Sequence, residues 1–127
     1  MYIAKRSGGS YTSLTSLGGM ANYISDIKIT PDKRWVAIAS MSQFNIYYWN
    51  GGSSYTMKQQ TNLGGMFWHL KIEISHDHVY IAVNYQNNVY MYKWNGGGWS
   101  NWQTWSGRSS QPYHALPNYD QNVLVIC

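Results

Sequence analysis

Acidic residues are scarce in this 127-residue chain: five Asp and Glu stand against nine Lys and Arg, and charged residues make up only 11%. The net charge of +4 at pH 7 therefore reflects missing acids rather than a basic stripe. Lys5-Arg6 and Lys33-Arg34 are isolated pairs, and nucleic-acid binding, which needs clustered cations, is not expected. Cysteine is nearly absent. Cys127 is the only one and the last residue, which excludes an intrachain disulfide framework. It has no helix terminus or neighbouring His in sequence to activate it, so inert strand packing is its expected role. No segment approaches the roughly 20 apolar residues of a membrane span. The amino terminus, MYIAKRSGGS, lacks the apolar core of about 7–15 residues that a secretory signal carries. A soluble product is expected, its compartment open between cytoplasm and a virion or extracellular assembly.

Rings are plentiful instead. Seven Trp, twelve Tyr and two Phe mean that most large rings carry a polar atom, which suits half-wet surfaces such as interfaces and sugar sites. The rings fall in a repeat. ITPDKRWVAIASMSQFNIYYWN, residues 29–50, recurs without a gap as ISHDHVYIAVNYQNNVYMYKWN, residues 74–95, so Trp49-Asn50 and Trp94-Asn95 lie 45 residues apart. Strand-like runs alternate with Gly-, Ser- and Asn-rich turns, and no window has helical spacing. A period in the forties with four such runs predicts an all-β fold, a β-propeller of four-stranded antiparallel blades. VAIAS and VYIAV are apolar at nearly every position, as expected of strands covered on both faces. In the second unit the strands are expected at 66–74, 79–84, 89–95 and 99–105. Asn50-Gly51 and Asn95-Gly96 mark hairpins, because both residues tolerate positive φ.

The phase of the repeat is informative. MYIAKRSGGSYT aligns with NIYYWNGGSSYT at an offset of 44, and DQNVLVIC with DHVYIAVN at an offset of 43. The single segment 1–127 then divides into strands three and four of a shared blade (1–16), a blade at 20–60, a blade at 66–105, and strands one and two of a shared blade (112–127). That is three blades' worth. Propellers close with about four to eight blades. A head-to-tail homodimer of six blades is therefore expected, with a piece of a longer propeller as the alternative.

Both units resemble WD-repeat blades. ITPDKRWVAIAS is similar to that family's Ser-Pro-Asp turn and second strand, Trp49-Asn50 falls where its Trp-Asp stands, and Gly19-Met20 and Gly65-Met66 fall at its Gly-His. Met20 and Met66 replace the His, and Gln43 and Asn88 replace an Asp of the turn between strands two and three. The family's internal His–Asp hydrogen-bond network cannot form in its usual way. The resemblance implies a binding or scaffolding platform. In size and Trp content the chain also resembles short oligomeric propeller lectins.

No catalytic residue, metal ligand or cofactor is expected. Asp32, Asp77 and Asp120 occupy the same turn of successive units, where Asp binds its own backbone. Asp26 and Glu73, with Lys28 and Lys71 exchanged around them, are explained by ion pairs. No two acids are left over for hydrolysis. His69, His76, His78 and His114 are the metal candidates, but His76-Asp77-His78 stands where the preceding unit has Pro31-Asp32-Lys33, a turn that needs no metal. LGGM and NGGG are not phosphate loops. The candidate ligand-binding residues are aromatic. Tyr23, Trp68 and Tyr113 recur near the start of each first strand, either as a repeated platform or as packing. Trp99, Trp102 and Trp105 appear in one fourth strand only, where the other units have Ser or Ser54, Met57 and Gln60. Simple alternation puts Trp99 and Trp105 on one face and Trp102 on the other. With Arg108 in the loop that follows, they suit a glycan, a protein contact or local packing. The leading expectation is non-enzymatic glycan recognition by an oligomer. A structural or adhesive assembly protein is the alternative.

Overall fold

The computed structural model of the chain describes residues 2–19, 23–52, 54–68, 70–106, 115–117 and 124–126, with backbone alone at 5, 7, 12–15 and in the last two segments. All its regular elements are strands. Strands β1 (Tyr2–Ser7) and β2 (Ser10–Ser16) form a hairpin. The next four, β3 (Ile24–Ile29), β4 (Trp35–Ser40), β5 (Gln43–Trp49) and β6 (Tyr55–Asn62), form an antiparallel sheet in chain order. So do β7 (Lys71–Ile74), β8 (Tyr80–Tyr85), β9 (Asn88–Trp94) and β10 (Trp99–Trp105). Strands β11 (Ala115–Pro117) and β12 (Leu124–Ile126) pair as a final antiparallel couple. No helix occurs among the described residues, hence none long and apolar enough to cross a membrane.

The turns follow from local chemistry. Asn50 and Asn95 accept backbone N–H bonds from Gly52 (2.9 Å) and Gly97 (3.0 Å), and Gly51 and Gly96 take the positive φ these hairpins require. At the β3–β4 turn the Asp32 carboxylate accepts from Arg34 N at 3.0 Å and from the Thr30 hydroxyl at 2.5 Å. Asp77 repeats this with Val79 N (3.1 Å) and the Ser75 hydroxyl (2.7 Å). The structural role expected of these two aspartates is thus observed; Asp120 lies outside the described residues.

The sheets stack face to face. Trp35, Ala37, Ala39, Phe44 and Ile46 of the first four-stranded sheet pack with Leu70, just before β7, and with Ile72, Ile74, Ile81 and Val83 of the second sheet. Their opposite faces carry smaller cores: Leu17, Val36, Ile38 and Tyr47 beside Ile3 on one side, and Ala82, Val89 and Met91 beside Tyr80 and Trp105 on the other. Both faces of VAIAS are buried, as its composition requires. First strands adjoin first strands, β3 against β7 and β7 against β11. Asp26 accepts a bond from Ile72 N across that junction (3.1 Å), and Lys28 meets Glu73 at 2.7 Å. On the outer side, the Gln59 amide donates to Trp99 O (2.8 Å) and accepts from Trp99 N (2.6 Å), tying β6 to β10. Gly98 allows this approach, since a Cβ there would lie 2.8 Å from the Gln59 Oε1.

Two features differ from the sequence-based expectation. The strand expected from Met66 begins at Lys71, because the preceding segment bonds to the first sheet's β4–β5 turn: Leu63 N donates to Ser42 O at 2.9 Å and Phe67 N to Met41 O. A β-bulge between Asn101 and Gln103 also shifts the register of β10. Trp99 faces the first sheet, whereas Trp102 and Trp105 both lie on the other side, so simple alternation fails.

Ile72 sits in the shared core with no exposed surface. Ile72→Ala is expected to lower unfolding free energy by about 2–5 kcal/mol, read from urea midpoints. A loss below about 1 kcal/mol would mean that the two sheets do not share a core.

Candidate functional site

Trp35 opens β4 with its indole turned toward the second sheet. Its ring stacks on His78 (centroids 4.6 Å apart, planes at 16°) and meets Tyr48 at 4.6 Å, Trp99 at 5.2 Å and Trp94 at 5.9 Å. The Trp99 indole N–H donates to His78 O at 2.8 Å. One aromatic cluster therefore fills the space between the two sheets at the hairpin end. Burial holds His78 below the ordinary imidazole value, against the opposing pull of Asp77 and Asp32.

One repeat earlier the same space is open. A groove of about 860 Å³ lies between the β1–β2 hairpin and the first four-stranded sheet, within the range of small-molecule sites. Tyr11, Tyr48, Trp49 and Tyr55 supply rings to its lining. Arg6, Lys33 and Arg34 supply cations, and Asp32 the single carboxylate. The Thr30 hydroxyl, with the Arg34 N–H, holds Asp32 below the usual carboxylate range, so it is charged at neutral pH. Tyr55 donates to Lys33 O at 2.8 Å, the counterpart of the Trp99–His78 bond. Burial raises the Tyr55 phenol above its ordinary value.

Of the sequence-predicted site residues that are described, Trp102 and Trp105 share a face beside Tyr80, and Trp99, Tyr23 and Trp68 lie elsewhere. Trp99 is 4% exposed and packs between the sheets, so its ring offers no face to a ligand. Trp102, 49% exposed, lies beside Tyr80 (5.3 Å) under the Lys93 ammonium (5.4 Å). Trp105 is partly buried against Ala82, Val89 and Met91. Tyr23 and Trp68 are exposed at the end opposite the groove, where first strands begin. Arg108 and Tyr113 lie outside the described residues, as do His69, His114 and Cys127. Among the described residues no three His, Cys, Asp or Glu side chains converge on a metal-sized space.

Sequence reasoning missed the groove because its rings belong to positions that looked like ordinary strand residues. The signal available was the pair Arg6 and Arg34, which stand level with Trp49 and Val79 of the next repeat. At the other end of the first sheet, Gln43 and Asn45 donate to Gly19 O (2.7 and 3.2 Å) and Tyr47 to Gly18 O (2.7 Å). No protein-family model matches the chain, and no curated protein matches it.

The lowered His78 value has a consequence for stability. The unfolded chain takes up this proton near pH 6.5, the native one only at lower pH. Stability therefore falls as pH drops below about 6.5 toward the native value. His78→Asn removes that contribution. Its stability relative to the parent should improve between about pH 7 and pH 5 in paired urea titrations; a gap constant with pH would contradict this.

Proposed function

We propose that the chain is a non-enzymatic binding module, a segment of an oligomeric β-propeller, and that it recognises glycans in the grooves between neighbouring sheets. The observation that carries the binding reading is the open groove, where rings and arginines converge on a space that the next repeat fills with an indole. Rings offer stacking faces to a saccharide and arginines hydrogen-bond its oxygens. Assembly is supported by a second comparison. Ile27 and Ile29 are 43% and 56% exposed, whereas their counterparts Ile72 and Ile74 are 0% and 8% exposed beneath the preceding sheet. A second copy, adding β11 and β12 beside β1, would cover the exposed pair and make a six-bladed ring. Copies of one weak site on a rigid ring raise avidity roughly 10²–10⁴-fold.

The second reading is a structural or adhesive assembly protein, favoured by Trp102. Half exposed on an outer strand and capped by Tyr80 and Lys93, it has the form of a contact residue.

A glycan array separates the two. Binding is expected for the parent and for Trp102→Ala, with roughly tenfold loss or more for Tyr11→Ala, whose exposed ring lines the groove. Loss confined to Trp102→Ala would move the site to the outer strand, and a blank array would favour the adhesive reading.

A further inference from the structure

The filled and open grooves correspond through the repeat. Around Trp35 stand Tyr48, His78, Trp94 and Trp99. By strand register these correspond to Lys5, Lys33, Trp49 and Tyr55, because the hairpin pairs Arg6–Tyr11, Trp49–Tyr55 and Trp94–Trp99 are equivalent and the bulges put Ala4 level with Tyr47. Trp99 thus matches Tyr55 rather than Ser54, the residue that sequence alignment alone puts there. Lys33, Trp49 and Tyr55 line the open groove. The groove is thus the seat of a ring whose own side chain is missing from this part of the fold. Lys5 stands in the place of Tyr48, and Lys33 replaces the stacked imidazole of His78. Arg34 stands where the filled groove has Val79, and Arg6 is level with Trp49, adding positive charge to the lining that the packing of the repeat does not need.

The electrostatics are one-sided. Three cations face one carboxylate, and Asp32 already accepts from Thr30 and Arg34 N. The Lys28–Glu73 salt bridge lies away from the groove, and Asp32, whose charge Arg34 helps to hold, is the one carboxylate in the lining. Flexible arginines beside ring faces match a ligand that is both cyclic and anionic, because the guanidinium fork pairs with a carboxylate while the rings cover an apolar face. A neutral sugar would leave the excess charge uncompensated. In sequence, the third counterpart of Trp35 and Tyr80 is Val123, smaller than either ring, so a second copy seated here need not refill the space.

Resting on the glycan reading, we infer that the groove between the β1–β2 hairpin and the β3–β6 sheet binds a pyranose carrying a carboxylate, a uronic-acid type of saccharide. The sugar ring takes the place that the Trp35 indole occupies one repeat later, over Trp49 and Tyr55. Its carboxylate meets Arg6 and Arg34.

The test is a titration of the full chain with sodium glucuronate and, separately, with methyl glucoside, followed through Trp indole N–H resonances and calorimetry. Glucuronate is expected to bind at least roughly tenfold tighter than the glucoside, with affinity falling as salt is raised. Arg6→Ala and Arg34→Ala should each weaken glucuronate roughly tenfold. Ala4→Tyr places a ring at an exposed position that lines the groove, so the protein should fold normally by circular dichroism and lose binding. Equal affinity for the two sugars overturns the anionic assignment while leaving glycan recognition standing. Undiminished binding in Ala4→Tyr overturns the location. Failure of a folded sample to bind either sugar removes both this inference and the reading beneath it.

Discussion

The structure depends on one constraint: a sheet whose central strands are apolar on both faces must have a neighbour on each side. Val36 and Ile38 face one way from β4 while Trp35, Ala37 and Ala39 face the other, and all five are buried. Each fully buried aliphatic side chain contributes about 1.5–3 kcal/mol relative to an exposed one. The stacking of β4 and β5 on β7 and β8 satisfies this constraint within the chain. It is not satisfied along β3, whose Ile27 and Ile29 point at open space on the side of β1. The groove and the uncovered isoleucines are the two visible results of the same gap.

Polar groups refine this apolar stack. Asp26 covers a backbone N–H on the unpaired side of β7, and the Gln59 amide links the outer strands. Gln43, Asn45 and Tyr47 hold the carbonyls of Gly18 and Gly19. The Asn84 amide is the contrasting case. It is fully buried on the side of β8 facing away from the first sheet, and neither of its polar atoms has a partner among the described residues. Its counterpart in the first sheet is Ala39, so the four-stranded sheet itself does not require an amide there.

Much of this was legible from residues alone. The all-β order, the Asn-Gly hairpins, the Asp32 and Asp77 turns and the doubly buried VAIAS strand each follow from local chemistry, and local chemistry is what a sequence displays. The orientation of Trp102 and Trp105 was not legible, because a bulge adds one residue to β10 without a distinctive composition. The late start of β7 was hidden for a similar reason: Phe67 is strand-like in type but bonds to a turn of the neighbouring sheet. Nor was the aromatic cluster visible, since Trp35 and Trp99 meet only after two sheets have stacked. The open groove was the least accessible feature. It is defined by a ring that is absent, and only the filled counterpart reveals which position is empty.

The central claim is that a second copy satisfies the coverage which β3 lacks, with β12 pairing beside β1. Multi-angle light scattering on the purified, folded chain tests this most directly. A mass of about 29 kDa, twice the 14.6 kDa of one chain, is the expected result. A folded species of 14.6 kDa, stable across concentration, would contradict it.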